Sequence, residues 1–374
     1  MSKAIVLFSG GLDSLVTALM LRRLGVEVLA LNIVTPLHDV SQAARLRAEE
    51  FGLPFCECRV DESYADLIAH PRWGYGSAVN PCIDCRIAML KIAKRVMQAE
   101  QADGAASLRP ATKEAVSLRP ATKEAASLRP ATKEAVSLRP ATFIATGEVV
   151  GQRPNSQKMH QLALIAREAG VTDCLVRPLS AKALNPSQVE LDGLLDRESL
   201  HGFTGRGRTG LIRLAEELGV RELPQPASGC LLCEKNFAPR VRDVLRHNPK
   251  PTNWHFEVLP FGRVVRIDAK VQCVVARNLD DCRNLVRLFE RGNRPRAALF
   301  EPDNFNGPAA LLIGDDFDAH HEHIAGGQVL RFSNPNRYEP DNAFVRFRDA
   351  VGDIARDERR QIFVVPNATE YKHR

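Results

Sequence analysis

Three short stretches carry residue types that do chemistry when brought together. The first, Ser9-Gly10-Gly11-Leu12-Asp13-Ser14, directly follows the apolar run from Ala4 to Phe8. A turn that leaves a parallel strand and enters a helix gathers backbone N–H groups and the positive end of the helix dipole at one point, so anions bind there. Glycines at 10 and 11 permit positive φ and let a phosphate approach the backbone, while Ser9 and Ser14 add hydroxyl donors. Asp13 is the odd member, because a carboxylate repels a phosphate unless a cation intervenes. A Mg²⁺ shared with a polyphosphate resolves that conflict. The stretch is neither a Walker A loop nor a dinucleotide fingerprint.

The other two stretches are cysteine pairs. Asn80-Pro81-Cys82-Ile83-Asp84-Cys85 opens a predicted helix whose apolar face is Ile83, Ile87, Leu90 and Met97. At a helix N-terminus the dipole favours thiolate. Cys230-Leu-Leu-Cys233 follows Pro224-Gln-Pro-Ala-Ser-Gly229 in a predicted loop. Pairs this far apart are not a zinc-finger spacing, yet a fold can bring them together. Cys56, Cys58, Cys174, Cys273 and Cys282 lie in strand or helix patterns, where buried inert thiols are expected. Nine cysteines, an odd number, without an export leader or a membrane-length apolar run, point to reduced thiols in a cytoplasmic protein.

Positioning these stretches requires a frame, and the apolar patterns supply one. Strands are expected at Ala4 to Phe8, Glu27 to Val34, Pro54 to Val60, Phe143 to Thr146 and Cys174 to Leu179. Helical patterns fill the intervals at Leu12 to Leu24, Val40 to Phe51, Ile83 to Gln98 and Gln157 to Ala169, with stops at Gly52, Gly170 and Gly219. Such alternation gives an α/β fold, a doubly wound parallel sheet with right-handed crossovers. Arg153, Ser156 and Gln157 enter the helix after the fourth strand, Lys182 follows the fifth, and Glu148 lies between, all on the carboxyl side of the sheet.

Residues 106–142 repeat a ten-residue unit, ASLRPATKEA, nearly four times. Each unit holds a proline and about one leucine and no aromatic, so it cannot fold alone and reads as a disordered insertion. Its four arginines and three lysines against three glutamates account for most of the net charge of +6, so net charge is no argument for a nucleic-acid partner. The first domain is expected over 1–246. A proline-rich linker from His247 to Trp254 separates it from a smaller α+β domain over 255–350. Strands are expected there at Gly262 to Arg277, Arg296 to Phe300, Ala309 to Ile313 and Gln328 to Phe332, around a helix at Leu279 to Arg291. His320-His321-Glu322-His323 reads as a surface loop without a role.

The loop SGGLDS resembles the pyrophosphate loop of the PP-loop ATP pyrophosphatases, whose fold is the adenine nucleotide alpha hydrolase-like one. NPCIDC resembles the cysteine motif of bacterial tRNA 2-thiouridylases. FIATGEVVGQRPNSQ followed by VRPLSAK resembles the pyrophosphatase domain of tRNA 4-thiouridine synthase, and PQPASGCLLC resembles the distal cysteine segment of the thiouridylases. The resemblance covers about residues 1 to 245 without the insertion; the second domain more weakly resembles an NFACT-type RNA-binding module. It implies Mg-ATP bound at Ser9, Gly10, Gly11, Leu12, Asp13 and Ser14, with Asn32 near the adenine and Lys182 and Ser156 near the phosphates or the uridine. It further implies adenylation of a uridine carbonyl oxygen of tRNA, and sulfur transfer by Cys82 and Cys230. Sulfur would come from a donor protein or as sulfide.

This chain departs from the thiouridylase pattern by carrying a second cysteine three positions on from each. Persulfide chemistry, an iron-sulfur (4Fe-4S) cluster on three of Cys82, Cys85, Cys230 and Cys233, and a structural zinc or idle thiols all stay open at this stage. Two rival functions also remain. One is a nitrogen-transferring ligase for a small molecule on the same fold; the other is a non-catalytic, nucleotide-regulated RNA-binding protein.

Overall fold

The computed structural model describes residues 2–102, 115–116, 142–224, 229–291, 294–351 and 354–363. The chain divides into two compact units, Met1–Lys235 and Asn236–Arg374.

In the first unit, strand β1 (Lys3–Leu7) leads through the glycine loop into helix α1 (Leu12–Arg23). Then come β2 (Glu27–Val34), α2 (Ser41–Glu50), β3 (Phe55–Val60), α3 (Ser63–Ala69) and α4 (Cys82–Ala102). A two-residue strand β4 (Ala115–Val116) precedes β5 (Phe143–Ala145), α5 (Met159–Ala169), β6 (Leu175–Val176), α6 (Gln188–Leu191) and α7 (Thr209–Glu217). The sheet is wholly parallel in the order β4-β3-β2-β1-β5-β6. The five expected strands and four expected helices are present. Of the repeat, only Ala115, Val116 and Thr142 are described; its expected disorder otherwise lies outside the described residues.

The central strand explains the burial. Ala4, Ile5 and Val6 have no exposed surface, and α1 buries every residue from Leu12 to Leu21 except Asp13. A helix apolar on nearly all sides has to be covered on nearly all sides. Lys3 is buried as well, and its ammonium pairs with the buried Glu100 of α4, which compensates for taking both charges out of water.

Gly10 adopts φ +73°, and a Cβ there would stand 2.9 Å from the Ala44 Cα of α2. The loop is thus a left-handed turn with a helix backbone pressed against it. Gly147, just after β5, is required for a different reason: a Cβ would meet the Asp13 carbonyl at 2.6 Å. Two backbone approaches therefore lock the start of α1 between α2 and the end of β5.

The second unit contains α8 (Ala238–His247), α9 (Asn253–Glu257), β7 (Arg263–Arg266), β8 (Gln272–Val275), α10 (Leu279–Glu290), β9 (Ala297–Pro302) and β10 (Ala310–Ile313). It closes with α11 (Ala319–Arg331), β11 (Phe344–Val351) and β12 (Ile354–Gln361). Its antiparallel sheet runs β12-β11-β9-β10-β8-β7. Here two expectations fail. Gln328 to Phe332, read as a strand, ends helix α11, and the histidine group read as a loop is the first turn of that helix. The Asp318 carboxylate caps that turn, accepting from the backbone N–H groups of His320 (3.0 Å) and His321 (3.2 Å). Hairpin β11–β12 was missed because its arginines mask the alternation; those arginines pair with carboxylates, Arg346 with Asp357 and Arg356 with Asp349.

Gly10→Ala is expected to lower the stability of the first unit by about 2–4 kcal/mol, the sum of left-handed strain and overpacking against Ala44. Urea denaturation measures it; a midpoint equal to that of the parent chain would show that α2 does not press on the loop.

Candidate active site

The carboxyl ends of β1, β2 and β5 open on a cavity of about 210 Å³. It is lined by the glycine loop, by the ends of β2 and β5, by the start of α4 and by the segment around Cys230. The site lies where strand order reverses, with β1 between β2 and β5, the position at which doubly wound sheets bind ligands.

The loop is held by its own side chains. Ser14 Oγ donates to the Gly11 carbonyl (2.9 Å), and the Ser9 N–H donates to Ser14 Oγ (3.3 Å). Thr17 Oγ1 donates to the Asp13 carbonyl (2.8 Å). Asp13 Oδ2 accepts from Gln152 Nε2 at 3.1 Å, while its buried Oδ1 has no partner among the described residues. An orphaned carboxylate oxygen beside an anion loop fits a divalent cation, so Asp13 is the residue that would hold Mg²⁺, which would supply charge neutralisation for a polyphosphate.

Asn32 lines the cavity and its Nδ2 donates to the Phe8 carbonyl (2.9 Å), tying β2 to β1. Its Oδ1 is buried without a partner among the described residues. Arg153, Ser156 and Gln157 line the cavity as well. Lys182 does not: its ammonium donates to the Glu198 carbonyl (2.8 Å) and carboxylate (3.1 Å), and Glu198 belongs to a separate short turn. The carboxyl side of the sheet is broad, and following the fifth strand was not sufficient to place Lys182 at the crevice.

All four cysteines of the two pairs open on this cavity. The first-turn helix position of Cys82 and Cys85 implied easy ionisation, but the structure reverses this. Cys82 is pushed well up by its hydrogen bond with the Cys233 thiol and by burial, and Cys85 is pushed up to about 11 by burial. Cys233 is raised by its hydrogen bond with Cys230. Asn80 Nδ2 donates to Cys82 Sγ (3.0 Å), and the Tyr64 hydroxyl donates to Cys85 Sγ (3.0 Å). Among the described residues no group of three or more His, Cys, Asp or Glu is arranged to hold a metal ion.

Sequence reasoning missed Arg86, His38, Tyr64 and Arg208, which all line the cavity. Arg86 follows directly on Cys85, and that adjacency was the available signal. Its Nε faces Glu148 Oε1 at 3.7 Å, and Glu148 Oε2 accepts from Arg177 Nε (3.0 Å) and Thr146 Oγ1 (3.1 Å). Glu148 is 3% exposed; burial disfavours its charge, but Arg177 and Arg86 outweigh burial and hold its carboxyl below the usual range. The positive charge of Arg86 lowers the thiols of Cys82 and Cys85, less than the hydrogen bonds from Asn80 and Tyr64 do, and both stay raised. Burial, with Arg86 and Arg153 nearby, lowers His38, leaving a neutral imidazole at pH 7. The other five cysteines, among them buried Cys56, Cys58 and Cys273, do not line the cavity, and all nine are free thiols.

No family model matches the chain. Among curated proteins, the tRNA-specific 2-thiouridylase of Trichlorobacter lovleyi is 33% identical over 98 residues, 23% of this chain and 27% of that protein. The chain thus matches about a quarter of the length of that relative. Among solved structures, a predicted subunit of tRNA methyltransferase from Methanocaldococcus jannaschii shows a TM-score of 0.32 at 14% identity, covering 58% of this chain and 76% of that one. A 4-thiouridine synthetase–RNA complex with bound ATP shows a TM-score of 0.37 at 20% identity, covering 69% and 51%. Likeness at that level does not bear on function. No described helix is long and apolar enough to cross a membrane.

The Glu148 carboxylate makes a pH-dependent contribution. Its folded pKa lies below the unfolded value of about 4.3, so the stabilisation is complete above that pH and is lost as pH falls through the folded value. Glu148→Gln should therefore cost about 3 kcal/mol at pH 7, with the gap to the parent closing in acid. Denaturant titrations between pH 3 and 7 read the gap; one independent of pH would refute the assignment.

Proposed function

We propose that this chain is an ATP-dependent tRNA sulfurtransferase of the PP-loop type. The observation that carries the reading is that both C-x-x-C pairs open on the same cavity as the SGGLDS loop. A nitrogen-transferring ligase has no need of four thiols there, and a nucleotide-regulated binding protein needs none. The 98-residue similarity to a tRNA 2-thiouridylase supports tRNA as the acceptor. The arginines of the second unit do not strengthen that point, since many are matched by carboxylates. An RNA-holding role for the second unit rests on resemblance alone.

In this reading the loop from Ser9 to Ser14 holds the pyrophosphate end of ATP with backbone N–H groups and serine hydroxyls, and Asp13 would hold a Mg²⁺ that would neutralise the polyphosphate charge. Arg153 and Arg208 supply positive charge to the phosphates. A uridine carbonyl oxygen attacks the α-phosphorus, pyrophosphate leaves, and the oxygen becomes part of a good leaving group, AMP. A persulfide sulfur on Cys82, supplied by an external sulfur donor, then attacks the activated carbon. A second thiol takes over the remaining sulfur–sulfur bond, forming a disulfide that an external dithiol reduces. Arg86 favours the anionic sulfur at Cys82, and His38 is a neutral base in the same cavity.

The test is product analysis under anaerobic conditions with α-labelled ATP and Mg²⁺, with and without tRNA lacking thiolation. AMP is expected only with tRNA, and Asp13→Asn should slow its formation by about a hundredfold. Cys82→Ser should form AMP yet transfer no sulfur. AMP formed regardless of RNA, or never formed, would refute the reading.

A further inference from the structure

Asn80 is buried, and the structure fixes which way its amide points. The Ala78 N–H donates to Asn80 Oδ1 (3.1 Å). A backbone N–H can only donate, so the amide oxygen belongs on that side and the NH₂ group on the other. There Nδ2 stands 3.0 Å from Cys82 Sγ. An amide nitrogen accepts nothing, so the contact is a donation to sulfur. Turning the amide over would set its NH₂ against the Ala78 N–H.

The segment carrying Asn80 is stitched down on several sides. The Gly76 N–H donates to the Asn80 carbonyl (2.9 Å), and the Val79 N–H to the Leu232 carbonyl (3.3 Å). The buried Asp84 carboxylate accepts from the Arg72 N–H (2.9 Å) and the Trp73 N–H (3.2 Å). Gly76 leaves the room the amide needs, since a Cβ there would overlap the Asn80 amide nitrogen and that of Asn155. The donor is therefore in place before the sulfur carries charge and has nothing to rearrange when it does. Holding the loop would require only the two oxygens of Asn80; the NH₂ half is directed at the sulfur.

We propose that Asn80 acts on the sulfur of Cys82: it is a fixed donor that stabilises the Cys82 thiolate and so enables this cysteine to take up the sulfur atom it later delivers. This rests on the sulfur-transfer reading. Loading starts from an external persulfide, R–S–SH. The Cys82 thiolate attacks its terminal sulfur, and a sulfur–sulfur bond forms to Cys82 Sγ. The sulfur–sulfur bond of the persulfide breaks, and its electron pair leaves on the R–S sulfur, which takes up the proton that Cys82 released. One thiol and one persulfide stand on each side of the step, so no oxidant or reductant is needed. Only the thiolate attacks, and the half-buried setting of Cys82 works against ionisation. A hydrogen bond to an anion is stronger than one to a neutral group, so a donor held at Sγ raises the reactive fraction.

Two substitutions separate the sulfur from the loop. Asn80→Asp keeps an acceptor for the Ala78 N–H but sets a carboxylate oxygen beside Sγ, whereas Asn80→Ala removes both halves of the amide. Alkylation of Cys82 by iodoacetamide is followed on the reduced full chain between about pH 7 and 10 by peptide mass spectrometry, with Cys282 of the second unit as internal reference. The assay uses no ATP, RNA or sulfur donor, so its outcome is independent of the AMP assay. At about pH 8, Asn80→Asp should slow alkylation of Cys82 at least about tenfold and move the profile up by about one pH unit, and Asn80→Ala should slow it about threefold. Loss of the fold would expose the thiols and speed the reaction, the opposite direction. Loading of Cys82 from glutathione persulfide, read as the added sulfur mass on the same peptide, should fall in the same order. A parent-like profile or faster alkylation in Asn80→Asp would overturn the proposal. Alkylation in Asn80→Ala as slow as in Asn80→Asp, or slower, would assign Asn80 to holding the loop alone and overturn it too. A shifted profile with loading at the parent rate would remove Asn80 from sulfur uptake.

Discussion

Strand β1 is hydrogen-bonded to β2 on one side and to β5 on the other, and the chain leaves its neighbours in opposite senses. That reversal prevents any crossover from covering the carboxyl end of β1, so a crevice opens there whatever the side chains are. Everything chemical in the first unit depends on it. The glycine loop is the exit of β1, Asn32 and His38 belong to or follow β2, and Glu148, Arg153 and Ser156 follow β5. The loop keeps its shape because Ala44 and the β5 exit press on it from two sides, which only glycines at 10 and 147 permit.

A second constraint decides the electrostatics. In the half-buried cleft the thiols of Cys82, Cys85 and Cys233 are pushed up, because hydrogen bonding between thiols at Cys82 and Cys233, and burial at all three, favour the neutral form. The helix dipole at the start of α4 acts in the other direction but loses, since its effect is confined to the first turn and is smaller than the desolvation of a buried sulfur. Hydrogen bonds from Asn80 to Cys82 and from Tyr64 to Cys85 work against burial, and Arg86, one residue beyond Cys85, adds a smaller pull in the same direction. Arg86 stays at its post because buried Glu148 faces it while Arg177 and Thr146 hold the other carboxylate oxygen. The ion cluster is thus a positioning device for one cation near two sulfurs.

Much of this was legible in the sequence because short apolar runs alternate with helical patterns and because the loop residues have individual chemical reasons to be there. The sheet, the loop and both cysteine pairs could be named from residue type and spacing. Lys182 could not be placed, since following a strand fixes which side of the sheet a residue occupies but not whether its side chain reaches the crevice; a nearer carboxylate, Glu198, took it. Tyr64 was invisible because its role arises from a contact between distant segments, whereas Arg86 was overlooked although it follows directly on Cys85. In the second unit the strand expected at Gln328 to Phe332 failed for a local reason: a capped helix start at Asp318 outranks the β-propensity of a five-residue apolar stretch. The β11–β12 hairpin hid behind charged residues that alternate with Phe344 and Phe347 and their neighbours.

The two cysteine pairs sit on unlike supports, and the difference has a mechanical meaning. Cys82 and Cys85 occupy the first turn of a 21-residue helix packed against the sheet, and a polar side chain donates to each sulfur. Cys230 and Cys233 occupy a three-residue turn joined to the segment before Cys82 by the Val79–Leu232 hydrogen bond. A sulfur that must meet a substrate atom needs a fixed position, whereas sulfurs that exchange bonds with one another need freedom to approach along the S–S axis. A rigid helix start facing a short turn supplies both.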